Sequence, residues 1–139
     1  MRRLLWLALL LVTLGCPRAT APPSPDAVGL TPAQVAQGVA EVMLERPDLD
    51  QALRWSEPSA GLELRSQVGF LATRSQVDYG IGPPSKEDNR WQVVLPIRKL
   101  VVGGFTYRGQ LRLDLGEAGR RVVHSSLKLT RPDGVELSL

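Results

Sequence analysis

The chain has 139 residues, with 17 Lys or Arg against 14 Asp or Glu, one His and one Cys. Setting aside Arg2 and Arg3, which belong to the leader, leaves 15 bases against 14 acids, so the formal net charge drops from +3 to +1 and gives no reason to expect a nucleic-acid partner. With Cys16 as the one cysteine, internal disulfides and multi-thiolate metal sites are excluded.

Residues 1–16 read MRRLLWLALLLVTLGC. Arg2 and Arg3 form a positive n-region, Leu4 to Leu14 an apolar run broken by Thr13, and Gly15-Cys16 follows at once, which is the layout of a secretory signal. A helix needs about 18–20 apolar residues to cross a bilayer, so this run is a segment to be removed rather than a span. The leader resembles the signal peptides of bacterial lipoproteins, in which a small residue precedes a cysteine that is diacylated before cleavage just ahead of it. Gly15-Cys16 fits that pattern, while Thr13 and Leu14 depart from its usual order. The resemblance implies removal of 1–15, lipid of the palmitate class on Cys16 and a cell-envelope protein facing the periplasm. The outer membrane is favoured, because Pro17 is not the aspartate that commonly signals inner-membrane retention. The rival reading is an ordinary secretory signal cut after Ala19-Thr20-Ala21. Two acyl chains anchor stably where one does not, so a processed Cys16 makes the membrane itself the first expected partner.

Residues 16–29, CPRATAPPSPDAVG, carry four prolines and read as a tether. At about 3.1 Å per residue in polyproline II they reach roughly 40 Å. Residues 30–139 suffice for a single domain with its own core. The domain opens on a helix: Thr31 is placed to cap, Pro32 suits the first turn, Gln34 completes a capping box, and Val35, Val39, Val42 and Met43 share one face. Arg46 before Pro47 closes it, and a second short helix restarts with Pro47-Asp48-Leu49-Asp50 as its first turn and Leu49, Leu53 and Trp55 as its apolar side, ending at Glu57-Pro58 and Gly61.

From Leu62 to about Thr73 the apolar residues Leu62, Leu64, Val68, Phe70 and Ala72 predict a strand. A bulge near Ser75 then shifts the parity to Val77, Tyr79 and Ile81, and 80–89 reads as a loop. Gly103-Gly104 is a two-residue hairpin turn. It pairs Val102 with Phe105 and Leu100 with Tyr107. One bulge near Arg98-Lys99 then aligns Ile97 with Gly109, Leu95 with Leu111, Val93 with Leu113 and Trp91 with Leu115 on a single core face. Beyond a turn at 116–120 the expected pairs are Leu113 with Val123, Leu111 with Ser125, Gly109 with Leu127 and Tyr107 with Leu129. Pro132-Asp133-Gly134 turns the chain into a short edge strand through Val135, Leu137 and Leu139. The expected fold is α+β: an N-terminal helix and a short second helix packed on a curved antiparallel meander of four or five strands. By architecture alone this is similar to the cystatin-like and helix-grip folds.

No catalytic, cofactor or metal constellation emerges. His124 and Ser125 are strand neighbours and point to opposite faces, and no acid in the sequence reading orients a His124–Ser126 contact. Asp48, Asp50 and Glu57 fit capping and helix-dipole roles. On the outer face the predicted register sets Arg112 against His124, Gln110 against Ser126 and Arg108 against Lys128. Arg108, Arg112, His124 and Lys128 thereby form a basic patch for an envelope protein or anionic lipid headgroups. The expected function is therefore a non-catalytic, membrane-anchored protein-binding or assembly module. The alternative is a periplasmic carrier or sensor of an apolar ligand, with Gly69 and Gly109 as its hint of space within strands.

Overall fold

The structure, a computed structural model, describes residues 23–116 and 118–139; the leader and Cys16 lie outside the described residues. Three α-helices precede a six-stranded antiparallel sheet, an α+β architecture.

Helix α1, Pro32–Ala40, starts on the expected signals. Thr31 Oγ1 accepts from the Gln34 amide at 3.2 Å, and Gln34 Oε1 accepts from the Thr31 amide at 2.9 Å. Its buried face, Val35, Ala36, Val39 and Ala40, continues through Met43 and Leu44 in a π-helical turn, Glu41–Glu45, that the sequence reading did not contain. Pro47 cannot extend this turn, and the carbonyls of Leu44 and Glu45 accept from the Arg74 guanidinium instead. Helix α2, Leu49–Arg54, is capped by Asp48, whose Oδ1 accepts from the Gln51 amide at 3.2 Å. Trp55 ends it and lies so close to Gly38 of α1 that an added Cβ there would stand 2.1 Å from the indole.

The predicted strand Leu62–Thr73 is a helix. After a 3-10 turn at Pro58–Ala60, helix α3 spans Gly61–Leu71 and buries Leu64, Gln67, Val68 and Leu71, while Leu62 is 83% exposed. The buried set has the i, i+3, i+4, i+7 spacing of a helix. Gln67 disguises it: with a polar residue at a core position, the remaining apolar residues imitate alternation.

The strands are β1 (Arg74–Tyr79), β2 (Ser85–Glu87), β3 (Arg90–Val102), β4 (Phe105–Leu115), β5 (Val122–Thr130) and β6 (Glu136–Ser138). Their order is β1-β3-β4-β5-β6, with β2 also pairing β3. Strand β2 lies inside the expected loop and turns into β3 through Asp88 (φ 47°) and Asn89 (φ 65°), residues that tolerate the left-handed region a tight hairpin needs. The β3–β4 register is the predicted one at every pair, from Val102 opposite Phe105 to Trp91 opposite Leu115, with the break between Ile97 and Leu100.

The β4–β5 register differs by two residues. Leu113 faces Ser125, Leu111 faces Leu127 and Gly109 faces Leu129. The connection is one residue longer than expected, since the Gly116 amide donates to Arg121 O at 2.9 Å. A second residue is added where the register slips between Asp114 and Leu115, opposite Val122 to His124. Two single-residue changes restore the parity, so side chains from His124 onward keep their predicted faces while every partner moves, and the core place expected for Val123 is taken by Val122.

The helices cover one face of the sheet. Trp55, Met43, Leu44, Leu64 and Leu71 from the helical layer meet Leu95, Leu100, Leu111, Leu113, Leu115, Leu127 and Leu129 from the strands, all at most 2% exposed. Among the described residues no buried side-chain nitrogen or oxygen lacks a hydrogen-bond partner.

Strand β5 is closed along its outer side by main-chain and side-chain groups of the helical half. Val122 exchanges bonds with Trp55 O and the Glu57 amide, and Ser59 Oγ donates to Val123 O. The Ser125 amide donates to Glu63 Oε2 at 2.7 Å, and Ser125 O accepts from Gln67 Nε2 at 2.9 Å. Leu127 pairs with Leu139 through both main-chain groups. Glu63 and Gln67, one turn apart on α3, thus do for β5 what a neighbouring strand would do.

Candidate functional site

The uncovered face of the sheet is built by the side chains that alternate with the core set. Its shape is set at the β3 bulge. Ile97 opposes Gly109 and Leu100 opposes Tyr107, so Arg98 and Lys99 together face Arg108 alone. A bulge re-aims side chains, and here it brings three bases to one place. Arg108 in turn faces Thr130 of β5, and Gln110 faces Lys128. An open groove of about 660 Å³ results, lined by Ile97, Arg98, Arg108, Gly109 and Thr130. It meets a second, of about 310 Å³, lined by Lys128, Leu129, Thr130, Glu136, Leu137 and Ser138. Thr130 lines both, so the two grooves adjoin at β5 and together make one trough, from β3 and β4 on one side to β6 on the other.

The bases along the trough are not equivalent. Arg98 is held by Asp78, with Nη2 to Oδ1 at 2.8 Å and Nε to Oδ2 at 3.2 Å, and also donates to Tyr79 O at 2.8 Å. That hydrogen bond keeps the Asp78 carboxyl below its ordinary value and raises the guanidinium in return. The charge of Arg98 is therefore matched and its geometry fixed. Lys99, Arg108 and Lys128 are exposed and take part in no ion pair among the described residues. On the helix-side edge of the sheet, burial together with a hydrogen bond to Glu45 pushes the Tyr79 phenol up, and it stays neutral as a donor.

Of the four patch residues read from the sequence, Arg108 and Lys128 lie along the trough. Arg112 and His124 line neither groove, lying nearer the β4–β5 turn, and each has an acid of its own. Arg112 Nε bonds Asp114 Oδ1 at 3.2 Å, and His124, which faces Asp114 across the strands, bonds Glu63 Oε1 through Nδ1 at 2.8 Å. The direct pairs Arg112–His124 and Arg108–Lys128 are replaced by Arg112–Ser126 and Arg108–Thr130, following the shifted register. Arg98, Lys99 and Thr130 are additions. The bulge that places the first two was visible in the sequence, and counting its two residues against Arg108 would have found them.

Glu63 also corrects the reading that no acid stands by His124: the residue was hidden in the segment taken for a strand. It supplies an orienting carboxylate, yet the neighbouring Ser125 hydroxyl is buried and donates to Gln67 Oε1 at 2.6 Å, away from the imidazole. Among the described residues no group of three or more His, Cys, Asp or Glu is placed to hold a metal, and no helix is long and apolar enough to cross a membrane. Gly109 offers no space within the sheet, since a Cβ there would stand 1.9 Å from Lys128 O; Gly69 lies on α3 with nothing within 4 Å. Comparison of the chain with protein-family models, curated proteins and solved structures finds no match.

Proposed function

We propose that the chain is a bacterial envelope lipoprotein, anchored through lipid on Cys16, whose domain acts as a non-catalytic protein-binding or assembly module. The observation that carries the reading is the asymmetry of the sheet. One face is sealed by helices over a filled apolar layer, and the other is open and carries the trough with its unmatched bases. The filled layer speaks against the carrier of an apolar ligand, since Trp55, Met43 and Leu44 occupy the space such a ligand would need. The likeness to cystatin-like and helix-grip folds is part of this reading and rests on layer order alone, helices on one face of an antiparallel sheet.

The anchor is tested by cell fractionation. Wild-type protein is expected in the membrane fraction, and Cys16→Ala in the soluble fraction or as an uncleaved precursor. A Cys16→Ala protein with the wild-type mature mass and membrane location would reject lipidation. The binding role is tested by cross-linking in the native cell, where a specific envelope protein is expected and loss of that adduct in a trough variant assigns it to the open face.

A further inference from the structure

We infer that the trough takes an extended, acidic segment of a partner protein, on the part of the domain turned away from the anchoring membrane. The inference rests on the reading of the chain as an anchored module and adds to it the chemistry and position of the partner.

Shape comes first. The trough crosses from β3 to β6, three inter-strand steps of about 4.8 Å, or roughly 14 Å, which an extended chain spans in about four residues. Charge selects what that segment carries. Arg108 presents a guanidinium fork suited to a carboxylate, with Lys128 one step along, and neither takes part in an ion pair among the described residues; Lys99, beside Arg108 at the bulge, has Asp78 opposite it on β1. Arg98 contributes a wall rather than a free charge, because Asp78 already holds it. Glu136 closes the far end, so carboxylates belong at the Arg108 end of the segment and a neutral or basic residue beside Glu136.

Position favours a protein over the membrane's own headgroups, because the trough lies away from the pole where the tether joins the domain. The chain enters the domain beside the β4–β5 connection: Asp26 pairs with Arg54 at 2.9 Å and with Arg121 at 3.9 Å, and Arg120 donates to Ala27 O at 2.9 Å. Leu115 ends β4 at that pole, and Arg108 lies seven residues further along, about 23 Å at roughly 3.3 Å per residue. A tether fastened at one pole of the domain thus leaves the trough near the other, beside the Gly103-Gly104 turn.

The test uses the full lipidated chain in a zwitterionic detergent and a fluorescein-labelled peptide of alternating Glu and Val, about six residues long, read by anisotropy. The same peptide with Lys for Glu is the charge control. Binding of the Glu peptide is expected, weakening as salt is raised because the groups are exposed. Arg108→Glu and Lys128→Glu should each weaken it about tenfold or more, as loss and reversal of a steering charge does. Arg65→Glu, on the exposed side of α3, should change it less than about twofold. Arg108→Gln, which removes the charge without reversing it, serves as the second variant, and circular dichroism checks each fold. Absence of binding, or an equal loss in Arg65→Glu, overturns the proposal. Sedimentation with phosphatidylglycerol-containing vesicles is the other arm: if Arg108→Glu abolishes vesicle binding and leaves peptide binding intact, the surface is a headgroup surface and the proposal falls. Failure of the anchor is distinguishable, since fractionation of Cys16→Ala reports on it independently. Trough binding by a chain without lipid would retain the acidic segment and discard the orientation.

Discussion

Gly109 of β4 faces Leu129 of β5 and has no room for a side chain. A Cβ there would meet Lys128 O at 1.9 Å and Leu129 Cα at 2.9 Å, main-chain atoms that cannot swing aside. Gly109→Ala is therefore expected to force the strands apart beside the trough and to cost more than about 2 kcal/mol, as strained substitutions do. A lower urea midpoint with unchanged slope would register it. Gly69→Ala is the matched control, because an exposed helical glycine with open space around it gains up to about 1 kcal/mol from alanine. The two glycines looked alike in the sequence, both taken for strand interiors. What separates them is a neighbour supplied by another strand in one case and a different secondary structure in the other, and neither is written in the adjacent residues.

At the scale of elements, local signals were legible and compensated ones were not. The start of α1 could be read because Thr31, Pro32 and Gln34 act on amides within one turn. The β3–β4 hairpin could be read because Gly103 and Gly104, at φ 59° and 81°, fix the turn, and alternating side chains along strands of 13 and 11 residues then allow one register. Helix α3 was lost to the buried Gln67, whose amide is satisfied by Ser125 and Leu139, residues far along the chain. The β4–β5 pairing slipped because two extra residues cancel in parity and leave no trace in the hydrophobic pattern. Parity leaves all four residues of the expected basic patch on one face, but Arg112 and His124 are bonded to Asp114 and Glu63, whereas Arg108 and Lys128 are in no ion pair among the described residues. The contact of β1 with the β3 bulge has its own acid dependence. The Asp78 carboxyl titrates below its ordinary value of 3.8 because Arg98 hydrogen-bonds it, so the contact is fully present above that value and is lost as pH falls through the lowered one. A carbon-13 titration of the Asp78 carboxyl should give a midpoint below 3.8, returning to the ordinary value in Arg98→Ala. An unshifted midpoint in the wild type would show that the pair does not hold β1 to the bulge in solution.

For the molecule as a whole, the helical half and the sheet are joined by more than apolar packing. The free side of β5 is bonded in turn by Trp55, Glu57, Ser59, Glu63 and Gln67 before Leu139 takes over. A strand edge with its amides unmatched is a template for another chain. Lifting α3 would uncover that edge at Ser125, so partial opening and self-association should be one event. Native-state hydrogen exchange tests this: the Ser125 amide is expected to exchange together with the amides of Leu64 to Leu71 and at their free energy. Ser125 protection persisting after α3 has opened would separate the two. On this arrangement the helix guards the chain against fibre formation, and conditions that loosen α3 while sparing the sheet should yield aggregates before they yield unfolded monomer.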